Sequence, residues 1–274
     1  MPINVMINGL PGNVAKMLIP HVRADNRFEL VAYSLTGPEI TDARYSTDGT
    51  AITLIRPGDR DDAIQQVKAE AGAFISIDYT HPSAVNDNAA FYCRNGLPFV
   101  MGTTGGDREA LVQTVASSAT CAVIAPNMAK QIVGLQAMMA YAAENFPGLF
   151  SGYQLDVLES HQASKADTSG TAKAMVGSFK QLGVDFKESD IVMVRNPDEQ
   201  KAMGIPEAHI NGHGWHTYTL RTPDGNAVFR FVHNINGRDI YAQGTFDAVM
   251  FLWGKIAGGA TGNVYSMIDV LKGE

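Results

Sequence analysis

Short apolar runs alternate along this chain with longer segments in which apolar residues recur every three or four positions. Ile3-Asn4-Val5-Met6-Ile7 reads as a strand, and Val14, Met17 and Leu18 mark one face of the helix after it. Further strands are predicted over 28–34, 73–79, 98–102 and 121–125, with helices over 62–71, 83–95 and 108–118. Strands alternating with helices predict an α/β fold with a doubly wound parallel sheet. The pattern changes after about residue 127. A helix over 130–145 leads to an alternating strand over 153–159, and a second helix-like run covers 172–182. Strands over 216–221 and 227–233 flank Pro223-Asp224-Gly225-Asn226, a hairpin signal. These features predict a second, α+β domain built on a mostly antiparallel sheet. Phe246, Val249, Met250, Leu252, Trp253 and Ile256 then recur at helical spacing, as core residues expected to pack on the first domain.

The first strand and helix are joined by Asn8-Gly9-Leu10-Pro11-Gly12-Asn13, and Ala15 lets the helix lie close to the sheet. As a bare G-x-x-G-x-x-A pattern this is weak. Placed between strand and helix, it favours a pyrophosphate on a helix start, hence a Rossmann-like, dinucleotide-binding domain. Gly102-Thr103-Thr104-Gly105 and Pro126-Asn127-Met128 fall at the carboxyl ends of later strands, where open parallel sheets bind ligands. The expected cofactor-binding residues are Gly9, Gly12, Asn13, Ser34, Thr36, Gly102, Thr103, Thr104 and Asn127. The second strand ends in Ser34-Leu35-Thr36-Gly37 with no acid before Glu39. A carboxylate there would repel the extra phosphate of NADP, whereas hydroxyls would accept it, with Lys16 and Arg44 as cationic partners. NADPH is therefore the expected cofactor, with NADH possible. Asp78 reads as a structural carboxylate capping a turn.

The richest chemistry lies in Glu159-Ser160-His161-Gln162-Ala163-Ser164-Lys165-Ala166-Asp167-Thr168-Ser169-Gly170-Thr171-Ala172. A helix start presents unpaired amides and the positive end of a dipole, so Ser169, Gly170 and Thr171 suit a carboxylate. Lys165 would add a counter-charge and His161 a donor near the chemistry. The competing reading is an ordinary capped helix with a solvated lysine and a surface histidine. His209, His213 and His216 are read as loop residues rather than a metal site, because no carboxylate or cysteine accompanies them in sequence.

Composition narrows the class. The net charge of −7 opposes nonspecific nucleic-acid binding, and no apolar run approaches the ~20 residues of a membrane span. The Met1-Pro2-Ile3 start lacks the pattern of a secretory signal. Cys93 and Cys121 have neither metal-site spacing nor the number of a disulfide framework, which suggests a reducing cytoplasm.

Taken together, Val5 to Gly12, Ile77-Asp78-Tyr79-Thr80-His81-Pro82, Gly102 to Gly105, Glu159 to Ala172 and Gly237-Arg238 resemble the dihydrodipicolinate reductase family nearly end to end. Common bacterial members carry two adjacent histidines and a proline before Ser-Gly-Thr. Here Gln162 takes the second histidine's place and the proline is absent, which resembles the plant-type branch, as do residues 127–131 and 214–218. The resemblance implies NAD(P)H-dependent reduction of a cyclic, imine-like dicarboxylate in lysine and diaminopimelate biosynthesis. It makes His161 and Lys165 the catalytic, acid or substrate-polarising pair, and gives Ser169, Gly170, Thr171, Arg238 and Gln162 to the substrate. Residues 1–127 with about 240–274 would bind the dinucleotide; about 128–239 would bind substrate and form a dimer or tetramer, with hinge closure between the two. Two other readings remain: a related nicotinamide enzyme acting on another cyclic imine or an amino acid, and a reductase-like assembly factor without activity.

Overall fold

The computed structural model describes every residue except Asp48. It divides into two compact units, Met1–Lys130 with Tyr241–Glu274, and Gln131–Ile240. Among the described residues the strands are β1 (Ile3–Asn8), β2 (Phe28–Leu30), β3 (Tyr33–Leu35), β4 (Arg44–Thr47), β5 (Thr50–Ile55), β6 (Phe74–Asp78), β7 (Phe99–Met101), β8 (Ala122–Ile124), β9 (Gln154–His161), β10 (Val192–Val194), β11 (His213–Arg221), β12 (Val228–Asn236) and β13 (Val264–Tyr265).

In the first unit, β13-β8-β7-β6-β1-β2 form a six-stranded sheet in which every pairing is parallel. All five residues of β6 are buried, as expected for a central strand covered on both faces. Met6, Val67, Phe74, Phe91, Tyr92 and Phe99 lie in one core cluster. This is the Rossmann-like arrangement that the alternation of strands and helices predicts.

The expected strand over 28–34 is instead two. β2 pairs with β1, whereas β3 pairs with β5 in a separate sheet of order β3-β5-β4. The chain folds sharply between them: the Tyr33 amide donates to the Val31 carbonyl at 2.8 Å and the Val31 amide to Val5 at 2.9 Å. The β4–β5 hairpin was not expected at all.

The long helix Ile240–Ala257 returns the chain to the first unit, followed by β13 and a short helix, Met267–Lys272. Phe246 packs on Phe28 with ring centroids 4.9 Å apart, and the Tyr79 hydroxyl bonds Thr245 at 2.6 Å. Gly244 lies so near the Met128 carbonyl that no Cβ fits there.

In the second unit, β9 pairs in parallel with β10 and antiparallel with β11, and β11 continues into the β12 hairpin. The sheet order is β10-β9-β11-β12. Met175, Val176 and Phe179 form the buried stripe of the helix Gly170–Gln181 and share a core with Tyr218 and Leu220 of β11. Complete burial of a side chain such as Phe179 contributes about 1.5–3 kcal/mol.

Candidate active site

The glycine turn of the first unit is held from several sides. Asn8 accepts from the Leu35 amide at 2.8 Å and donates to the Tyr92 hydroxyl at 3.1 Å. Gly9 has φ +104° and lies against the Tyr79 carbonyl with no room for a Cβ, while a Cβ on Gly12 would meet the Gly9 oxygen at 2.7 Å. Both glycines are thus required by close backbone approach. The helix Asn13–Ala24 starts immediately afterwards, with no side-chain cap and no acid in its first turn. Its first amides suit an anion. Asn13 and Thr104 are exposed. Gly102 gives up its side chain to the Tyr79 ring, and Asn127 caps the Ala129 amide at 2.9 Å.

Three of the residues expected to contact the cofactor direct their hydroxyls to partners within the protein. Ser34 is fully buried, accepts from the Leu10 amide at 3.3 Å and donates to the Leu35 carbonyl. Thr36 donates to the Leu10 carbonyl at 2.6 Å. These hydroxyls brace the glycine turn from inside and are not presented to a phosphate. The Thr103 hydroxyl donates to the Asp78 carboxylate at 2.6 Å. Asp78, fully buried, also accepts from Thr80, Asn88 and Tyr92, so it is the structural hub that its strand-end position suggested. Burial and this neighbouring carboxylate raise the Tyr92 pKa well above the ordinary tyrosine value. Glu39, distant in the sequence argument, folds back so that its carboxylate lies against Gly37, next to the end of β3.

In the second unit, His161 ends β9 opposite Gly214, whose missing side chain makes room for the ring: a Cβ there would meet His161 Cε1 at 3.0 Å. His161 Nδ1 lies 3.1 Å from the His213 carbonyl, which can only accept. Nδ1 therefore carries the proton, and the buried Nε2, without a partner, presents a lone pair. Burial, helped by Arg195 and Lys165 against the pull of Glu159, lowers the His161 pKa to about 4. The ring is neutral near pH 7. In the free protein the neutral ring donates through Nδ1 to the His213 carbonyl and leaves Nε2 as an acceptor.

Lys165 ion-pairs with the exposed Asp167 at 2.9 Å, and its amide donates to the Gln162 carbonyl at 2.9 Å. Ser169 caps the helix Gly170–Gln181, accepting from the Thr171 amide at 3.2 Å, so the capped-helix geometry is present together with the lysine. Open space lies over Gly170. Arg238 follows β12 and lies against Gly212, just before β11, at the same end of the sheet as His161.

Sequence reasoning missed the pair that shapes this loop. Fully buried Glu159 accepts from Arg195 at 2.6 Å and from the Ser169 amide at 3.0 Å. Arg195 also donates to the Lys165 carbonyl at 2.7 Å and the Asp167 carbonyl at 3.3 Å. One carboxylate and one guanidinium thus set the path of residues 165–169. Gln200, also fully buried, donates to the His161 carbonyl at 2.7 Å. Glu159 was visible as the last residue of the expected strand over 153–159; Arg195 carried no comparable signal.

The loop reading of the later histidines holds for neither His213 nor His216. Both lie within β11. His213 bonds the Ser160 hydroxyl at 2.8 Å and two backbone carbonyls. Buried His216 stacks on His233 at 4.5 Å between ring centroids and meets His161 edge-on at 5.1 Å. Burial, reinforced by the neighbouring histidines, lowers its pKa to about 2.

The parallel sheet with its uncapped helix start, and the separate sheet that carries the histidine with the lysine in the loop after it, point to the class: a two-part, Rossmann-type oxidoreductase. Comparison with known proteins narrows it. The family model for the dihydrodipicolinate reductase N-terminus matches residues 3–128, and that for its C-terminus matches residues 132–271. The chain belongs to the dihydrodipicolinate reductase family. It is 47% identical over 272 residues to the chloroplastic 4-hydroxy-tetrahydrodipicolinate reductase 1 of Arabidopsis thaliana, covering 98% of this chain and 78% of that protein. Identity to the 4-hydroxy-tetrahydrodipicolinate reductase of Thiobacillus denitrificans is 28% over 284 residues, covering 99% of each. This contrast agrees with the resemblance to the plant-type branch. Among solved structures, the dipicolinate-bound dihydrodipicolinate reductase of Paenisporosarcina sp. TG-14 shares the fold, with TM-score 0.67, 18% identity, and 97% of this chain and 98% of that one covered.

Proposed function

We propose that this protein reduces 4-hydroxy-tetrahydrodipicolinate to tetrahydrodipicolinate with NADPH or NADH, in lysine and diaminopimelate biosynthesis. The observation that carries this reading is the loop from His161 to Thr171, shaped by Glu159 and Arg195 so that a cation and a helix start lie near an unpartnered imidazole nitrogen.

In this reading a nicotinamide dinucleotide supplies the hydride when bound. Gly9, Gly12 and Asn13 would hold its pyrophosphate at the helix start, with Gly102, Thr104 and Asn127 alongside. Lys165 exchanges its exposed partner Asp167 for a substrate carboxylate, an exchange made easy because Asp167 itself lies in solvent. The amides of the first turn after Ser169 take a carboxylate as well, with Arg238 as cationic support and Gln162 as a neutral neighbour. Hydride addition to an imine-like acceptor leaves an electron pair on the nitrogen side, which needs a proton. A bound dianion favours protonated His161, converting the neutral acceptor into an acid poised to return that proton.

Exposed Val228, Phe229 and Val232 on the edge strand β12 support a dimer or tetramer, which light scattering on the purified protein checks. No helix among the described residues is long and apolar enough to cross a membrane. Two free cysteines suit a reducing compartment, the cytoplasm in our reading, although the Arabidopsis relative is chloroplastic by name.

The deciding experiment follows NADPH and NADH oxidation while the labile substrate is generated from aspartate semialdehyde, pyruvate and the upstream synthase. Turnover supports the assignment. Silence in a protein that still binds NADPH points to a relative acting on a different imine, and silence without cofactor binding to a non-catalytic protein.

A further inference from the structure

Three side chains of the second unit bring ligand atoms together, and the imidazole nitrogens among them lack partners. Glu159, His161 and His216 each offer one donor atom within 4.8 Å of the others. His216 is 3% exposed, yet neither of its ring nitrogens has a hydrogen-bond partner. A buried polar atom left unpaired costs about 1–3 kcal/mol, so such orphans call for an explanation. His161 Nε2 is a third unpartnered nitrogen at the same place. Its Nδ1–H bond to the His213 carbonyl is the arrangement that fixes a metal-binding histidine in its Nε2-donating tautomer.

From this geometry we infer that Glu159, His161 and His216 form a binding site for a transition-metal dication of the Zn2+ type. Ligand atoms around a tetrahedral zinc lie roughly 3.4 Å apart, from bond lengths of about 2.0–2.2 Å. His216 Nε2 and Glu159 Oε2 are already 3.7 Å apart. His161, the partly exposed member, is the ligand through which an ion would reach the other two. Glu159 Oε2 accepts one bond, from the Ser169 amide, and keeps a second lone pair; Arg195 binds the other oxygen. Arg195 and Lys165 are cations facing the cluster, and they weaken the attraction for hard ions held by charge alone. Two neutral imidazoles and a shared carboxylate instead select a borderline metal over Mg2+ or Ca2+. Three protein ligands leave a fourth position for water or an anion.

The metal is no part of hydride transfer. Occupied, it takes the His161 nitrogen that would carry the proton, so zinc inhibits the reductase; this consequence rests on the function proposed above, whereas binding does not. The test is therefore made on chelator-treated protein without substrate. Titration with Co2+ should give the visible absorption of a four-coordinate site at one equivalent per chain, displaced by Zn2+. His216→Phe, which keeps an aromatic ring against His233, should weaken Zn2+ binding at least about tenfold, while His209→Gln leaves it unchanged. Should His216→Phe fail to fold, NMR of the wild-type protein answers the same question: Zn2+ must shift the His161 and His216 ring signals. No uptake by the wild type, equal uptake by His216→Phe, or shifts confined to other histidines would overturn the assignment.

Discussion

At Lys165, exchange of one exposed carboxylate for another makes the residue's role separable from folding. Lys165→Ala should lower turnover about 100-fold or more, the range of a lost acid/base or charge contribution, while NADPH affinity is retained in a fluorescence titration. Asp167→Asn removes the competing carboxylate and should lower KM a few-fold at constant kcat in steady-state assays. Glu39 bears on cofactor choice. Its carboxylate lies against Gly37 beside β3, whose Leu35 carbonyl receives the Gly9 amide, so it faces the region where a ribose would lie. Glu39→Gln should therefore raise the NADPH to NADH ratio of kcat/KM, measured with both cofactors in parallel. The Ser34 and Thr36 hydroxyls are both bonded to the Leu10 backbone. Sequence identified them as polar residues at a strand end but could not tell whether the hydroxyls faced inward or outward. Two hydroxyls and an inner turn of backbone satisfy one another here, and such pairing depends on the close approach of the Asn8–Gly12 segment. His161 shows the opposite case: its place at a strand end was legible, but its tautomer depends on a carbonyl 52 residues away.

Among the secondary elements, those with strong periodicity were the most legible. The helix over 130–145 is observed as Lys130–Asn145. The hairpin is longer than its turn signal suggested, His213–Arg221 against Val228–Asn236, because exposed β12 residues add pairs without adding an apolar pattern. The run over 28–34 misled because its apolar residues serve two sheets, and nothing local marks the fold at Val31. The helix start at Ser169 was readable, but its anchoring was not: it depends on Arg195, which lies 26 positions further on after β10. Removing Arg195 leaves Glu159 charged and unpaired at full burial, a change that costs about 3–5 kcal/mol. Arg195→Ala should thus shift the denaturant midpoint downward and raise KM together, whereas Phe179→Ala, which empties part of the second core for about 3–5 kcal/mol, should leave KM unchanged in whatever protein remains folded.

Across the whole molecule, the buried imidazoles tie stability to pH. His161 and His216 titrate near the ordinary 6.5 in the unfolded chain, but only near about 4 and about 2 when folded. Below pH 6.5 the unfolded state binds more protons, so their contribution is complete above that value and is lost progressively as the pH falls, toward about 4 for His161 and on toward about 2 for His216. Tm should fall between pH 7 and pH 4.5, and His216→Phe should flatten that fall in calorimetry at matched ionic strength.

The return of the helix Ile240–Ala257 to the first unit has a consequence for biosynthesis. Phe28 waits for Phe246, and the Met128 carbonyl waits for Gly244, so the first 130 residues leave the ribosome with part of their apolar surface uncovered. Residues 131–240 contain every strand and helix of their own core and can close it as soon as they emerge. The unit formed by residues 131–240 can therefore mature before the one that precedes it, and the interval in which the nascent N-terminal sheet needs protection from aggregation lasts until β13 at Val264–Tyr265 has been made and paired with β8.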